Sequence, residues 1–142
     1  MGTISKQLVL KNAISEMRVL SNTVKEFCEE NSISGDVTHD IHLALEEIFS
    51  NIVFYGFEDQ DEHQIVISFA IRNNTLVLVI KDDGIAFNPL DNKTPELEIP
   101  IEEREVGGMG IHIVRRLMDE IEYIRKQNKN ILVIKKNNIL TL

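Results

Sequence analysis

Apolar positions recur along the chain first with a helical period, then with a period of two, and the switch between them marks out the elements. Ile14, Met17, Leu20, Val24 and Phe27 fall three or four apart, the spacing of one helix face. Asn12 precedes them and reads as the cap, since a short side-chain acceptor can bond the free amides of a first turn. Gly35 and Asp36 separate this helix from a second, whose stripe is Val37, Ile41, Ala44, Leu45, Ile48, Ile52 and Val53 and whose end is marked by Gly56. From Gln64 to Arg72 the pattern alternates, with Ile65, Ile67, Phe69 and Ile71 on one side. Leu76 to Ile80 is a continuous apolar run suited to an inner strand. Asn73-Asn74 between them can supply a tight turn, so the two runs read as a hairpin. A short strand over Lys6 to Lys11 comes before all of these. A helix from about Ile111 to Met118 follows them, and then a closing hairpin of Ile121 to Arg125 and Ile131 to Lys136, turning at Gln127 to Asn130. Most strands are joined by hairpins. The fold class expected is therefore α+β, a two-layer sandwich with a mainly antiparallel mixed sheet covered by about three helices on one face.

Residues 88–106 break every period. They carry Pro89, Pro95, Pro100 and many charges, and in a compact domain so long an irregular stretch reads as a functional or disordered loop. The 142 residues suit one domain, 1–142, and a 43% hydrophobic content suffices for one sizeable core. No apolar stretch approaches the roughly 20 residues that span a bilayer, and Met1 to Leu10 lacks a signal-peptide layout, so a cytoplasmic protein with no membrane association is expected. The one cysteine, Cys28, lies in the apolar pattern of the first helix and reads as a buried small hydrophobe rather than a reactive thiol. The histidines His39, His42, His63 and His112 have no zinc spacing and read as structural or surface residues. A formal charge of −8 argues against direct binding of nucleic acid, whose phosphates call for lysine and arginine. The charge is uneven: no lysine or arginine occurs from Glu26 through Ile71, whereas Arg115 to Lys136 holds seven basic residues against three acidic ones. That basic segment is either solvated surface or a polar face for a partner.

Three constellations have the residue types for chemistry. Glu47, Asn51 and Tyr55 are spaced by four on the second helix and share a face. Asparagine is a poor helix-interior residue, and a carboxylate beside an amide can hold a hard cation such as Mg²⁺ or take a proton from a hydroxyl. A plain solvated face is the alternative. Asp82-Asp83-Gly84-Ile85-Ala86-Phe87 follows directly on the inner strand. Glycine there allows a sharp turn and a close ligand approach, and a carboxylate at a strand end can accept a bond from an exocyclic amine such as that of adenine. An ordinary Asp-Gly turn is the alternative. Gly107-Gly108-Met109-Gly110 opens the third helix, where exposed amides and the helix dipole attract anions, although a flexible entry to the helix needs no ligand. It is neither a lysine-bearing phosphate loop nor a dinucleotide fingerprint. Each signal is weak alone; their order and spacing together are specific.

In that order, Glu47-x-x-x-Asn51, Asp82-x-Gly84 and Gly108-x-Gly110 resemble the three nucleotide boxes of the superfamily of ATPases that includes gyrase, the heat-shock chaperones, histidine kinases and MutL. The resemblance covers about residues 5–137. The short length, Gly107-Gly108-Met109-Gly110-Ile111 and the closing strand Asn130-Ile131-Leu132-Val133-Ile134-Lys135 look most like the anti-sigma factor serine-protein kinases. The resemblance implies that Glu47 is the general base or orients the attacking hydroxyl, and that Asn51 ligates Mg²⁺ on the phosphates of ATP. It implies that Asp82 bonds the adenine amine, that Gly84 and Ala86 line the adenine floor, and that Gly107, Gly108, Met109 and Gly110 form the phosphate loop. Residues 88–106 would be a lid over ATP, in which Arg104 offsets charge on the transferring phosphate. Positioning and electrostatic stabilisation are most of what phosphoryl transfer needs. Two departures stand out: Tyr55 occupies a place where many relatives have histidine, and Ala86 one where a second glycine is common. Alanine keeps the floor small provided its φ is negative.

The resemblance implies a serine/threonine kinase that doubles as an anti-sigma factor. It would phosphorylate a small STAS-type antagonist protein and otherwise hold a sigma factor; a homodimer is a family expectation. The alternative is a nucleotide-dependent binding module without kinase activity that switches partners. Intact Glu47 and Asn51 favour the enzyme, and Tyr55 and Ala86 keep the alternative open.

Overall fold

A computed structural model describes residues 4–91 and 110–140. The order is β1 (Ile4–Lys11), a 3₁₀ turn (Ile14–Glu16), α1 (Met17–Glu30), α2 (Gly35–Tyr55), β2 (Gln64–Arg72), β3 (Thr75–Asp82), a second 3₁₀ turn (Pro89–Asp91), α3 (Gly110–Leu117), β4 (Glu120–Lys126) and β5 (Lys129–Lys136). The strands form one sheet in the order β1-β2-β3-β5-β4, and every neighbouring pair is antiparallel. The fold is α+β as expected, but the sheet is not mixed: each described strand meets its neighbours antiparallel.

The hairpins form where asparagine-rich pairs tolerate a left-handed backbone. Asn73 and Asn74 have φ of 51° and 65°, and Gln127 and Asn128 have 53° and 62°. Two consecutive positive φ values match the right-handed twist of the flanking strands, which is why such turns close two-residue hairpins. The closing turn is thus Gln127-Asn128, tighter than the expected span from Gln127 to Asn130.

Alternation decides what the sheet buries. Ile65, Ile67, Phe69 and Ile71 of β2 and Leu76, Leu78 and Ile80 of β3 are buried, and Leu132 and Ile134 continue the same face on β5. Leu20, Val24, Phe27 and Cys28 of α1, Ile41, Ala44, Leu45, Ile48 and Phe49 of α2, and Ile111 and Val114 of α3 complete one core cluster. Phe27 and Phe69 join the layers with ring centroids 5.1 Å apart and tilted by 41°. Full burial of a side chain of this size stabilises by about 1.5–3 kcal/mol.

Two details differ from the sequence reading. Asn12 caps no helix: the chain enters α1 through the 3₁₀ turn with Ala13 before it, and no side chain caps that turn. Asn12 instead accepts the His63 amide on its Oδ1 at 2.9 Å and donates its side-chain amide to the Asp61 carbonyl at 3.3 Å, tying β1 to the segment before β2. The cap that does form is Ser34 on α2, whose hydroxyl accepts the Val37 amide at 3.3 Å. At the other end of the chain the Lys136 ammonium donates to the Leu117 carbonyl at 2.6 Å, which serves one of the free carbonyls at the C-terminus of α3.

Candidate functional site

Helix α2 is the wall to which the other segments attach. At its C-terminus the Gly56 carbonyl accepts the Ile85 amide at 2.9 Å, which brings the loop after β3 against the end of the helix. One turn and more back along α2, a Cβ added to Gly110 would overlap Glu47 Oε2 and lie 3.6 Å from Asn51 Nδ2. Glu47 and Asn51, expected to share a face, therefore converge on the first residue of α3, where the Glu47 carboxylate takes the place a Cβ would need. Both are half-buried. Tyr55, the third member of that stripe, is half exposed and packs edge-on against Phe54 with centroids 6.4 Å apart, so it is not a core aromatic.

Asp82 ends β3 on the buried face of the sheet, only 6% exposed. Its Oδ1 accepts the Gly84 amide at 2.9 Å and the Asn130 side-chain amide at 3.0 Å. Among the described residues nothing bonds Oδ2. Burial raises the Asp82 carboxyl above its ordinary value, against the lowering effect of its bonds to Asn130 and Gly84.

The loop that follows is held from several sides. The Arg125 guanidinium donates to the Gly84 carbonyl at 3.0 Å. Asn130 donates to the Ile85 carbonyl at 2.7 Å and accepts the Phe87 amide at 3.3 Å and the Tyr123 hydroxyl at 2.5 Å. Ala86 is exposed and is not among the residues of positive φ, so alanine stands there without backbone strain. At the base of the irregular segment the Arg115 guanidinium, from α3, donates to the Leu90 carbonyl at 2.9 Å.

Of the expected site residues, Glu47, Asn51 and Gly110 come together, and Asp82, Gly84 and Ala86 form the neighbouring loop. Arg104, Gly107, Gly108 and Met109 lie outside the described residues, as does most of the expected lid. Asn130, Tyr123 and Arg125 were not among the expected site residues. A signal for the first was present: the period of two in β5 puts Asn130 on the face of Leu132 and Ile134, so an amide was due to be buried. No group of three His, Cys, Asp or Glu side chains placed to hold a metal ion occurs among the described residues. A divalent cation beside Asn51 would therefore take most of its ligands from phosphates and water, as Mg²⁺ does on nucleotides.

The family model for the histidine kinase-like ATPase domain matches residues 10–136. The chain is 29% identical over 104 residues to serine-protein kinase RsbW of Bacillus thuringiensis (strain Al Hakam) and of Bacillus anthracis, and 28% identical to that of Bacillus mycoides (strain KBAB4). Each alignment covers 70% of this chain, which spans 64% of the length of those relatives. A crystal structure of the RsbU and RsbW domains of Rv1364c from Mycobacterium tuberculosis superposes with a TM-score of 0.68 at 15% identity, covering 94% of this chain and 32% of that one. The likeness read from the three boxes is thus matched by family, by named serine-protein kinases and by fold. The chain belongs to the histidine kinase-like ATPase domain family.

Proposed function

We propose that the protein binds Mg-ATP and transfers its γ-phosphoryl group to a serine or threonine of a STAS-type partner protein, in a cytoplasmic partner-switching system that regulates transcription through a sigma factor. The observation that carries this reading is the position of α2 between two groups of box residues. Glu47 and Asn51 meet the start of α3, while Gly56 holds the loop bearing an Asp82 oxygen with no partner among the described residues.

The residues fit ATP. Asp82 Oδ2 accepts from the exocyclic amine of adenine, and Gly84 and Ala86 lie beside the base. Asn51 supplies an oxygen to Mg²⁺, and Gly110 opens the helix whose N-terminal amides attract phosphates. Bound ATP supplies the phosphoryl group. Glu47 takes the proton of the attacking hydroxyl or orients that hydroxyl; a positioned base of this kind contributes about 10²–10⁴-fold. The serine-protein kinase names of the relatives support the direction of transfer.

The test is transfer from radiolabelled ATP to a STAS-type protein. Label on a serine or threonine that is lost in Glu47→Ala, while ATP binding persists, is expected. ATP binding with no transfer to any such partner would overturn the kinase in favour of a nucleotide-dependent binding module.

A further inference from the structure

We propose that His63, in its protonated form, is a positioning residue that ties the loop after β3 to the segment after α2, so that nucleotide binding at the site weakens as His63 loses its proton. This rests on the nucleotide-binding reading of that site.

His63 stands on a fixed backbone. Its amide donates to Asn12 Oδ1 at 2.9 Å and its carbonyl accepts the Asn12 amide at 3.0 Å, which holds it to the end of β1. Its ring is stacked on Phe57, with centroids 4.3 Å apart and planes 14° from parallel. Ring Nε2 meets Asp59 Oδ1 at 2.7 Å, and that same oxygen accepts the Asp61 amide at 2.9 Å, so Asp59 is held within its own segment. Ring Nδ1 reaches across to Asp83 Oδ1 at 3.0 Å. Asp83 belongs to the loop after β3, between Asp82 and Gly84. Next to it the Gly84 amide is bonded to Asp82 and the Ile85 amide to the Gly56 carbonyl. The bond from His63 adds a tie at Asp83 that a proton can make or break near neutral pH.

An ionised carboxylate only accepts, so the two ring bonds require both ring protons. The neutral ring carries one N–H. It keeps the shorter bond, to Asp59, and turns a lone pair toward Asp83, acceptor against acceptor. Loss of the proton therefore releases the loop. Asp59 faces the ring from its own segment and Asp83 from the loop, where Asp82 is the next carboxylate along the chain. From β1 the neighbour is the neutral Asn12, and Lys11 beside it is paired with Glu62 at 3.7 Å. The two carboxylates keep the proton on the ring, the bond to Asp59 first. A loop already set for its ligand binds more tightly than one that must be ordered on binding. Linkage makes the coupling reciprocal: bound nucleotide holds the loop and raises the proton affinity of His63.

The experiment is titration calorimetry of Mg-ADP into wild type, His63→Gln and Asp83→Asn at about pH 6 and about pH 9, on either side of the range in which a carboxylate-bound histidine titrates. Wild type is expected to bind roughly tenfold more weakly at the higher pH, the worth of one charge-assisted bond. His63→Gln has no proton to lose there and is expected to lack that dependence. Asp83→Asn is expected to lack it too while keeping its affinity, because an amide accepts from the charged ring and donates to the neutral one. Asp83 is exposed, so this variant also guards against a failure of His63→Gln to fold. Asp82 and the nucleotide titrate in all three proteins, so comparison with wild type isolates His63. A role in packing alone would weaken binding equally at both pH values. A dependence absent from wild type, or one that survives in either variant, would overturn the proposal while the nucleotide site stood. Wild type that bound Mg-ADP at neither pH would overturn the nucleotide reading itself, and this inference with it.

Discussion

Gly56 and Gly84 meet backbone to backbone: the Gly56 carbonyl accepts the amide of Ile85, and a Cβ added to Gly84 would overlap that same carbonyl oxygen. The end of α2 and the turn after β3 are therefore held as close as two chains can approach. This contact sets the distance between the helix that carries Glu47 and Asn51 and the strand end that carries Asp82. The same Cβ would come 2.9 Å from Asp82 Oδ1. Glycine at 84 is required by the protein's own backbone, whatever ligand lies beside it.

Gly84→Ala is accordingly expected to destabilise by about 1–3 kcal/mol, the usual cost of overpacking a tight contact. Urea unfolding should show a lower midpoint with an unchanged slope. Gly35→Ala is the matched control. A Cβ there meets nothing within 4 Å and Gly35 is the first residue of α2, so it should leave stability equal or raise it by about 0.4–1 kcal/mol.

Asp82→Asn keeps an acceptor for Gly84 and Asn130 but replaces Oδ2 with a donor. Ligand-free, it should be no less stable than wild type near neutral pH. The folded-state Asp82 carboxyl is raised, so wild type loses stability as pH climbs from the ordinary carboxyl value through the folded one, and the asparagine variant has no such loss. Mg-ATP at a hundredfold excess over Kd stabilises the folded form by about 2.7 kcal/mol, several degrees in Tm for a domain of this size. That shift should vanish in Asp82→Asn, as thermal melts with and without nucleotide would show.

His63 lies flat on Phe57, with ring centroids 4.3 Å apart, between two carboxylates. Its Nε2 is 2.7 Å from Asp59 Oδ1 and its Nδ1 is 3.0 Å from Asp83 Oδ1. Ionised carboxylates only accept, so both ring nitrogens must carry protons to make both bonds. The bond to Asp59 first, and that to Asp83, hold the imidazole above its ordinary 6.5 against some desolvation. A raised folded value means the stabilisation is complete below pH 6.5 and is lost as pH rises through the folded value. The Asp59 carboxyl is lowered, chiefly by the same bond to His63, and sets the acid limit, below which the contribution fades. The Tm difference between wild type and His63→Gln should therefore be largest in mildly acidic buffer and shrink toward alkaline pH. An NMR titration of the ring should give a midpoint above 6.5.

Cys28 is buried in α1, and burial raises its thiol despite an opposing bond from Thr38. The thiolate is the reactive form, so modification of the native protein by Ellman's reagent should be slow and should speed up sharply in denaturant. Rapid labelling of the native protein would contradict the buried position.

Much of this molecule was legible in its pattern. The period of two in 64–72 and the helical stripes fixed the faces of β2, α1 and α2, because each depends on residues a few positions apart. Asn73-Asn74 announced a turn because asparagine tolerates positive φ. Glu47 and Asn51 were readable as one helix face, since a spacing of four is itself a contact. Asn12 was misread because its partners, His63 and Asp61, are distant in sequence, and the same residue type caps a helix or bridges two loops with equal ease.

The sequence by itself determined the helices, the hairpins and the three boxes, all products of neighbours along the chain. Only the tertiary structure decided that β5 inserts between β3 and β4, which sets Asn130 opposite Asp82 across 48 residues of chain. It also decided that α3 begins against Glu47, and that Gly84 abuts Gly56. Those pairings depend on which strand edges and helix faces find each other when the shared core is buried, and no periodicity within a segment carries that information.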